Sequence, residues 1–283
     1  MQFEQNTIVA MIVVFGWILS LCFHEYGHGV AAYIGGDSSI REKGYLSFNP
    51  VVYTNVGLSI VLPAVIVLFG GVGLPGAAVM VNNSNLRGRH WESIVAIAGP
   101  LFSLIFTAAL VGFIRINPPI PVEWLAGCSF LAVLEIVVII FNLLPVPGLD
   151  GYGVLEPFLP QKIQQSCLNF QRYGILVLLA VLWFVPFANE LLWSTAYTVA
   201  FSIGLSPSSV VLGQTLFRSG AMPLSIAVIS LVVIVHIFRT RAKAEREASS
   251  GGSTVAKAAR DQPGVDETSL ETKSACQSDP PQN

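Results

Sequence analysis

The residues HEYGH at 24–28 have the types and the spacing of a metal-binding motif. In a helix, two histidines four residues apart project from the same face, so His24 and His28 can ligate one ion. Glu25 follows the first histidine and is placed where a general base can take a proton from an attacking water. The pattern therefore predicts a site for one zinc ion per chain with its own general base.

Asp150 is the best candidate for the third ligand that a catalytic zinc ion needs in addition to an open position for water. It lies in the segment FNLLPVPGLDG, residues 141–151. Pro145 and Pro147 lack amide hydrogens and interrupt the preceding helix, which allows the carboxylate to turn into the protein interior. An ordinary turn at a membrane surface uses the same residue types. The presence of HEYGH elsewhere in the chain favours the ligand over the turn.

The segments that carry these residues are strongly apolar. The chain is 53% hydrophobic and 11% charged, whereas soluble domains average about 25% charged residues. Apolar runs close to the ~20 residues that cross a bilayer occur at 8–23, 94–114, 125–144, 174–187 and 223–238. We therefore predict an all-α polytopic membrane protein with about five to six transmembrane helices, in contact with the lipid bilayer.

Ionisable side chains at the end of an apolar helix need an explanation, because they are costly in lipid. HEYGH places three of them together, which indicates a functional site. The simpler alternative is a helix end at which His and Glu meet lipid headgroups. Glu135, inside another apolar run, either bonds a neighbouring helix or lines a cavity, and the sequence does not choose between these roles.

The segment after the first helix decides the topology. Its apolar part, 58–75, is interrupted by two prolines and three glycines, and lipid cannot satisfy the backbone groups that such interruptions free. We expect the 58–75 run to be re-entrant, within a small re-entrant or β-hairpin insertion after the first helix. If this run and the next helix both crossed, His24 and His28 would lie ~30 Å from Asp150. The shared ion thus requires that only one span separates them.

The basic residues favour the same arrangement. With five spans and an outer N-terminus, the Lys and Arg residues that flank the spans lie inside except Arg115 and Arg218, as the positive-inside rule requires. The site would then lie near the cytoplasmic face. We expect a membrane-embedded domain at 1–240 and, because 241–283 is polar and rich in Ser, Gly and Pro, a disordered cytoplasmic tail there. An interfacial helix at 189–205 is a further possibility that the pattern allows.

Several functions are disfavoured by composition. A net charge of −2 and the lack of a basic stripe with interleaved aromatics argue against nucleic acid as a partner. The four cysteines are widely separated and lack CxxC spacing, so we expect neither disulfides nor thiolate ligands. The sequence does not specify an oligomeric state.

Three motifs together resemble the site-2 proteases, a family of intramembrane zinc metalloproteases. They are HEYGH at 24–28, AGPLFS at 98–103 and NLLPVPGLDG at 142–151, in the family's order. The stretch GYLSFNP, followed by GLPGAAVMVN, is similar to the branch of the family that lacks a PDZ domain. The resemblance implies regulated intramembrane proteolysis of transmembrane or membrane-associated protein segments, in a bacterial cytoplasmic membrane.

The resemblance also implies roles for particular residues. His24, His28 and Asp150 would be the metal ligands, Glu25 the catalytic acid/base, and Asn142 a substrate-binding residue that contacts substrate backbone or an oxyanion. Many members have Asn where this chain has Ser103, so a polar role at that position stays open. Gly99 and Pro100, in the same motif, are expected to serve close packing.

Two rival functions have sequence features that argue against them. A catalytically silent scaffold or zinc-binding chaperone would not need the general base Glu25. A metal-ion transporter would need polar ligands along a path through several helices, whereas here they gather at one face. A metalloprotease is therefore the favoured function.

Overall fold

The computed structural model describes residues 2–48 and 79–221, together with positions 223, 226 and 230. Within these residues the regular secondary structure is entirely helical, as predicted, and contains no strand. The helices are α1 (Gln2–Gly35), α2 (Ser39–Glu42), α3 (Arg89–Arg115), α4 (Val122–Asn142), α5 (Asp150–Leu155), α6 (Gln161–Phe184), α7 (Pro186–Ser202) and α8, whose continuously described part is 207–221. Single turns of 3-10 helix lie at Asn83–Asn85 and Glu156–Phe158.

Three of the described helices are long and apolar enough to cross a membrane. They are α1 from Glu4 to Gly35, α3 and α4. The shortest, α4, has 21 residues and is therefore ~31 Å long at ~1.5 Å per residue, enough for a hydrocarbon core of ~30 Å.

A fourth span is possible where α6 meets α7. Val177–Phe184 and Pro186–Ser202 are together long and apolar enough to cross a membrane, but the two helices are bent by 92° relative to each other. Pro186 begins α7 and has no amide hydrogen to continue the bonding of α6. The part of the chain described here thus holds three spans, or four with the bent pair, and the expected five to six are not reached within it. The 58–75 run and nearly all of 223–238 lie outside the described residues.

The core forms where α1, α4 and α8 meet, and α3 packs along the other side of α1. Small residues allow these helices to approach closely, as is common between membrane helices. A Cβ atom at Gly27 of α1 would lie 2.7 Å from the carbonyl oxygen of Ala98 on α3. Buried apolar side chains from α1, α4 and α8 fill the central interface: Val9, Ala10, Val13, Trp17, Phe130, Leu131, Leu134, Phe217 and Ala221.

Two segments follow the end of α1 and return to it. Gly36 turns the chain with φ +122, and α2 with its following turns occupies residues 39–48. Residues 79–87, which we call the strap, run back along the same end of α1, where the Arg87 amide donates to the Gly35 carbonyl at 2.9 Å. Phe48 and Val79 both contact α1 near its C-terminal third, at Tyr26 and Glu25 respectively.

Candidate metal centre

His24, Glu25 and His28 lie on the last third of α1, seven residues or more before the helix ends at Gly35. All three side chains are buried, although each carries polar atoms. At ~1.5 Å of rise per residue, His28 lies ~10 Å from the end of the helix. The local helix alone sets the two histidines on one face, as their spacing predicts.

Asp150 is brought to these histidines by the break between α4 and α5. Gly148 has φ +100, a left-handed conformation that suits glycine, and Asp150 is the first residue of α5. The turn is tight, because a Cβ atom at Gly151 would lie 2.2 Å from the Leu143 carbonyl oxygen. Pro145 and Pro147, which were expected to interrupt the helix before Asp150, lie in this same turn.

The three predicted ligands converge. Asp150 Oδ2 lies 3.1 Å from His24 Nε2, Asp150 Oδ1 lies 3.4 Å from His28 Nε2, and the two Nε2 atoms are 3.1 Å apart. Ligand atoms at ~2.05 Å from a tetrahedral zinc ion are about 3.3 Å apart by geometry. Among the described residues, this trio is the only group of His, Cys, Asp or Glu side chains with the arrangement of a metal site. Two neutral nitrogen donors and a carboxylate fit a zinc ion.

The other ring nitrogens of the two histidines are held by α3. His28 Nδ1 lies 2.7 Å from the Val95 carbonyl oxygen, which can only accept, so Nδ1 carries the hydrogen and Nε2 is free to bind a metal. His24 Nδ1 lies 2.9 Å from Ser103 Oγ, which is only 1% exposed. Such partners orient metal-binding rings. Ser103 therefore has the polar contact that the sequence left open, while the Val95 contact uses a backbone atom and leaves no sequence signal.

Gly99 lies between these two partners on α3 and directly faces both histidines. A Cβ atom built there would lie 2.2 Å from His28 Nε2 and 2.7 Å from His24 Nε2. The close packing expected of Gly99 is thus a contact with the metal-binding atoms themselves. Any larger residue would occupy the space in which the rings converge.

The Asp150 carboxylate is held in its charged form. Burial would raise its pKa, but the hydrogen bonds that His24 and His28 donate when their rings are protonated, and the positive charges of those rings, outweigh this and hold the pKa well below its usual range. Asp150 therefore supplies a negative charge to the site at neutral pH. A buried carboxylate that stays ionised suits a metal ligand.

Glu25 is only 4% exposed, and its carboxylate has one hydrogen-bond partner among the described residues, which the sequence did not predict. The Val79 amide, at the start of the strap, donates to Glu25 Oε2 at 2.9 Å. No other described residue forms a hydrogen bond with the carboxylate.

The remaining predicted residues occupy different positions. Asn142 is the last residue of α4, half-buried, and its amide forms no hydrogen bond within the described part of the chain, so its substrate-binding role stays a prediction. Glu135 is fully buried and accepts a hydrogen bond from Ser20 of α1. Of the two roles considered for Glu135, the structure supports the bond to a neighbouring helix. Cys22 is a buried free thiol outside the metal-binding trio.

Several known proteins that are similar to this chain are named as zinc metalloproteases. The chain is 38% identical over 212 residues to "Putative zinc metalloprotease Rip2" of Mycolicibacterium smegmatis, covering 74% of this chain and 81% of that protein. The Mycobacterium tuberculosis protein of the same name is 36% identical over the same coverage. YwhC of Bacillus subtilis, named in the same way as a zinc metalloprotease, is 30% identical over 62% of this chain and 81% of its own length. No family model and no solved structure matches the chain significantly.

Proposed function

This chain belongs to the site-2 protease family, and from that premise we propose that it is a zinc-dependent endopeptidase that cuts proteins within the membrane. The observation that carries the proposal is the convergence of His24, His28 and Asp150 at 3.1–3.4 Å beside the buried carboxylate of Glu25. A metal site with an adjacent general base serves hydrolysis better than it serves storage or transport.

The ligand set would hold one zinc ion. When bound, zinc supplies a Lewis acid that polarises the scissile carbonyl group and makes an attacking water more acidic. Ser103 and the Val95 carbonyl keep the two rings oriented, and the charge of Asp150 favours a divalent cation.

Glu25 acts as the general base and then as the general acid. Oε1 takes a proton from the attacking water, and the carboxyl group passes that proton to the leaving amine. The Val79 amide holds the second oxygen of the carboxylate, so the side chain cannot rotate freely between the two steps. Asn142, at the end of α4, would bind substrate backbone or the developing oxyanion with its side-chain amide.

The substrates would be transmembrane or membrane-associated segments of other proteins, cut by regulated intramembrane proteolysis. Three apolar helices support a place in a membrane, and the relatives that support the family are bacterial. We place the protein in the cytoplasmic membrane of a bacterium, with the site ~10 Å inside the end of α1 and near the cytoplasmic face. A substrate helix must unwind locally there, because its amides are all hydrogen-bonded.

The test is the Glu25→Gln variant, which keeps the shape of the side chain and removes its basicity. We expect it to retain one zinc per chain, measured by elemental analysis of purified protein, and to lose proteolysis. In native membranes it should trap uncut partners, which mass spectrometry identifies and which are then reconstituted with the enzyme as substrates. Glu123→Gln is the matched control, because Glu123 lies at the start of α4, whereas the metal centre lies near the other end of that helix. This variant should behave as wild type. A zinc-loaded Glu25→Gln protein that cuts normally would support the silent-scaffold or chaperone class instead and end the assigned mechanism.

A further inference from the structure

Asp37 lies two residues beyond α1 and is completely buried, although it carries a carboxylate. Its oxygens accept four hydrogen bonds from described residues. Oδ1 accepts from the Ser39 amide at 3.2 Å, the Ser39 hydroxyl at 2.7 Å and the Asn85 side-chain amide at 3.0 Å. Oδ2 accepts from the backbone amide of Asn82 at 2.8 Å. This set is larger than a turn requires.

Two of these bonds have a local explanation. The contacts with Ser39 form the turn that starts α2, a common use of an aspartate before a short helix. The contacts with Asn82 and Asn85 reach 45 and 48 residues along the chain, into the strap. A residue that only capped α2 would not need them.

The strap is fastened to the end of α1 on several sides. Lys43 donates to the Met80 carbonyl oxygen at 3.0 Å, and Val81 and Leu86 pack against the apolar cluster that contains Ala31 and Ile40. Asp37 supplies the buried, charged part of this attachment. Burial raises its pKa, but the bonds from Asn82, Asn85 and Ser39 outweigh that effect and hold the pKa below its usual range. The carboxylate is therefore ionised and able to accept all four bonds at neutral pH.

The attachment at Asn82 limits where Val79 can lie, together with the packing of Val79 against the apolar cluster that contains Ala31 and Ile40. The two residues are three positions apart, and an extended chain spans at most ~3.6 Å per residue, or ~11 Å here. The Val79 amide, in turn, is the only described donor to Glu25. The path from Asp37 through Asn82 to Val79 therefore connects a buried anchor outside the metal centre to the carboxylate that works in it.

We infer that Asp37 is a positioning residue for Glu25: it anchors the strap at Asn82 and Asn85 so that the Val79 amide holds Glu25 Oε2 and turns Oε1 towards the attacking water. The inference rests on the proposed role of Glu25 as general base. It assigns to residues outside the three sequence motifs a part in the catalytic step and none in metal binding.

The Asp37→Asn substitution separates the two sets of contacts. If the new amide keeps its oxygen towards Ser39 and Asn85, its NH₂ group faces the Asn82 amide, and two donors meet without an acceptor. We expect faster hydrogen exchange of the amides at 79–82, a kcat at least about tenfold lower, because misplacing a catalytic group by ~1 Å costs up to ~100-fold, and an unchanged zinc content. KM for a substrate that was recovered by trapping with Glu25→Gln and reconstituted should stay within about twofold, since Asp37 is not proposed to touch substrate.

Two further variants make the test specific. Ser39→Ala removes one bond to Asp37 on the α2 side and should leave kcat and the exchange at 79–82 near wild type. Asn85→Ala weakens the strap without altering Asp37 and should lower kcat in the same direction as Asp37→Asn, which keeps the test open if Asp37→Asn folds poorly.

Two results would overturn the inference. One is faster exchange at 79–82 in Asp37→Asn with a wild-type kcat, which would leave the role of Glu25 to be judged by Glu25→Gln alone. The other is a Ser39→Ala effect as large as that of Asp37→Asn, which would reduce Asp37 to a cap for α2. The exchange measurement needs no proteolysis, so it reports on the anchor even if the proposed activity fails.

Discussion

Replacing Gly99 by alanine should strongly weaken metal binding by adding one methyl group. The new Cβ would lie 2.2 Å from His28 Nε2, 2.5 Å from His28 Cε1 and 2.7 Å from His24 Nε2. Ordinary contacts of this kind begin near 3.4 Å, so the closest pair must separate by about 1.2 Å. Zinc ligand distances tolerate about ±0.2 Å. The required shift is several times larger than the site allows.

The clash can be relieved in two ways, and both harm the centre. The rings can rotate, which disperses the Nε2 atoms, or α3 can move away from α1, which breaks the contacts of His24 with Ser103 and of His28 with Val95. Loss of a single outer partner commonly lowers metal affinity 10–100-fold. We therefore expect zinc affinity to fall more than about 100-fold in Gly99→Ala, with proteolysis lost in proportion.

A control on the same helix separates this clash from a general effect of alanine. Alanine is favoured over glycine within a helix by about 1 kcal/mol, so the substitution by itself should not weaken α3. A Cβ atom at Gly112 meets nothing within 4 Å. Gly112→Ala should therefore bind zinc as wild type does and melt at the same or a slightly higher temperature.

The assay is zinc stoichiometry on purified protein, competition with a chromophoric chelator for affinity, and melting temperature with and without a strong chelator. Wild type and Gly112→Ala should lose stability when the chelator removes the ion, whereas Gly99→Ala should not respond. A Gly99→Ala protein with one tightly bound zinc ion and normal proteolysis would refute the placement of Gly99 against the two rings.

Two other predictions follow from the hydrogen bonds around the site. Ser103→Ala should lower zinc affinity about tenfold, as measured by chelator competition, because His24 Nδ1 loses its partner; an unchanged affinity would show that the contact does not orient the ring. The stabilising effect of Asp37 should depend on pH: its folded pKa is depressed, so its contribution is complete above the unfolded pKa of about 3.9 and fades as pH falls below that value. The difference in melting temperature between wild type and Asp37→Asn should then be full at neutral pH and narrow below about pH 4, and a difference independent of pH would contradict an ionised Asp37.

The sequence was sufficient for the features that depend on local geometry. His24 and His28 share a face because a helix repeats every 3.6 residues, and their spacing states this without any tertiary information. The apolar runs that became α1, α3 and α4 could be recognised because a bilayer demands about 20 apolar residues in succession. Asp150 could be paired with the histidines because its motif and the topology left few other acidic residues able to reach them.

Composition alone does not determine the number of transmembrane spans. α6 and α7 are together apolar enough to cross, but the structure bends them by 92° at Pro186. Hydropathy sums over a window and does not record direction, so a bent pair and a straight span have the same signal. The predicted insertion at 58–75 stays a prediction, because it lies outside the described residues.

Only the tertiary structure decided how the centre is supported. The Val95 carbonyl and the Val79 amide are backbone groups, and nearly all residues carry the same backbone groups. The residue types at these positions therefore do not reveal their roles. Asp37 meets Asn82 and Asn85 across 45 and 48 residues, a distance over which no local periodicity acts. The sequence by itself therefore determined which side chains can bind the metal and supply the base, while packing decided what orients them.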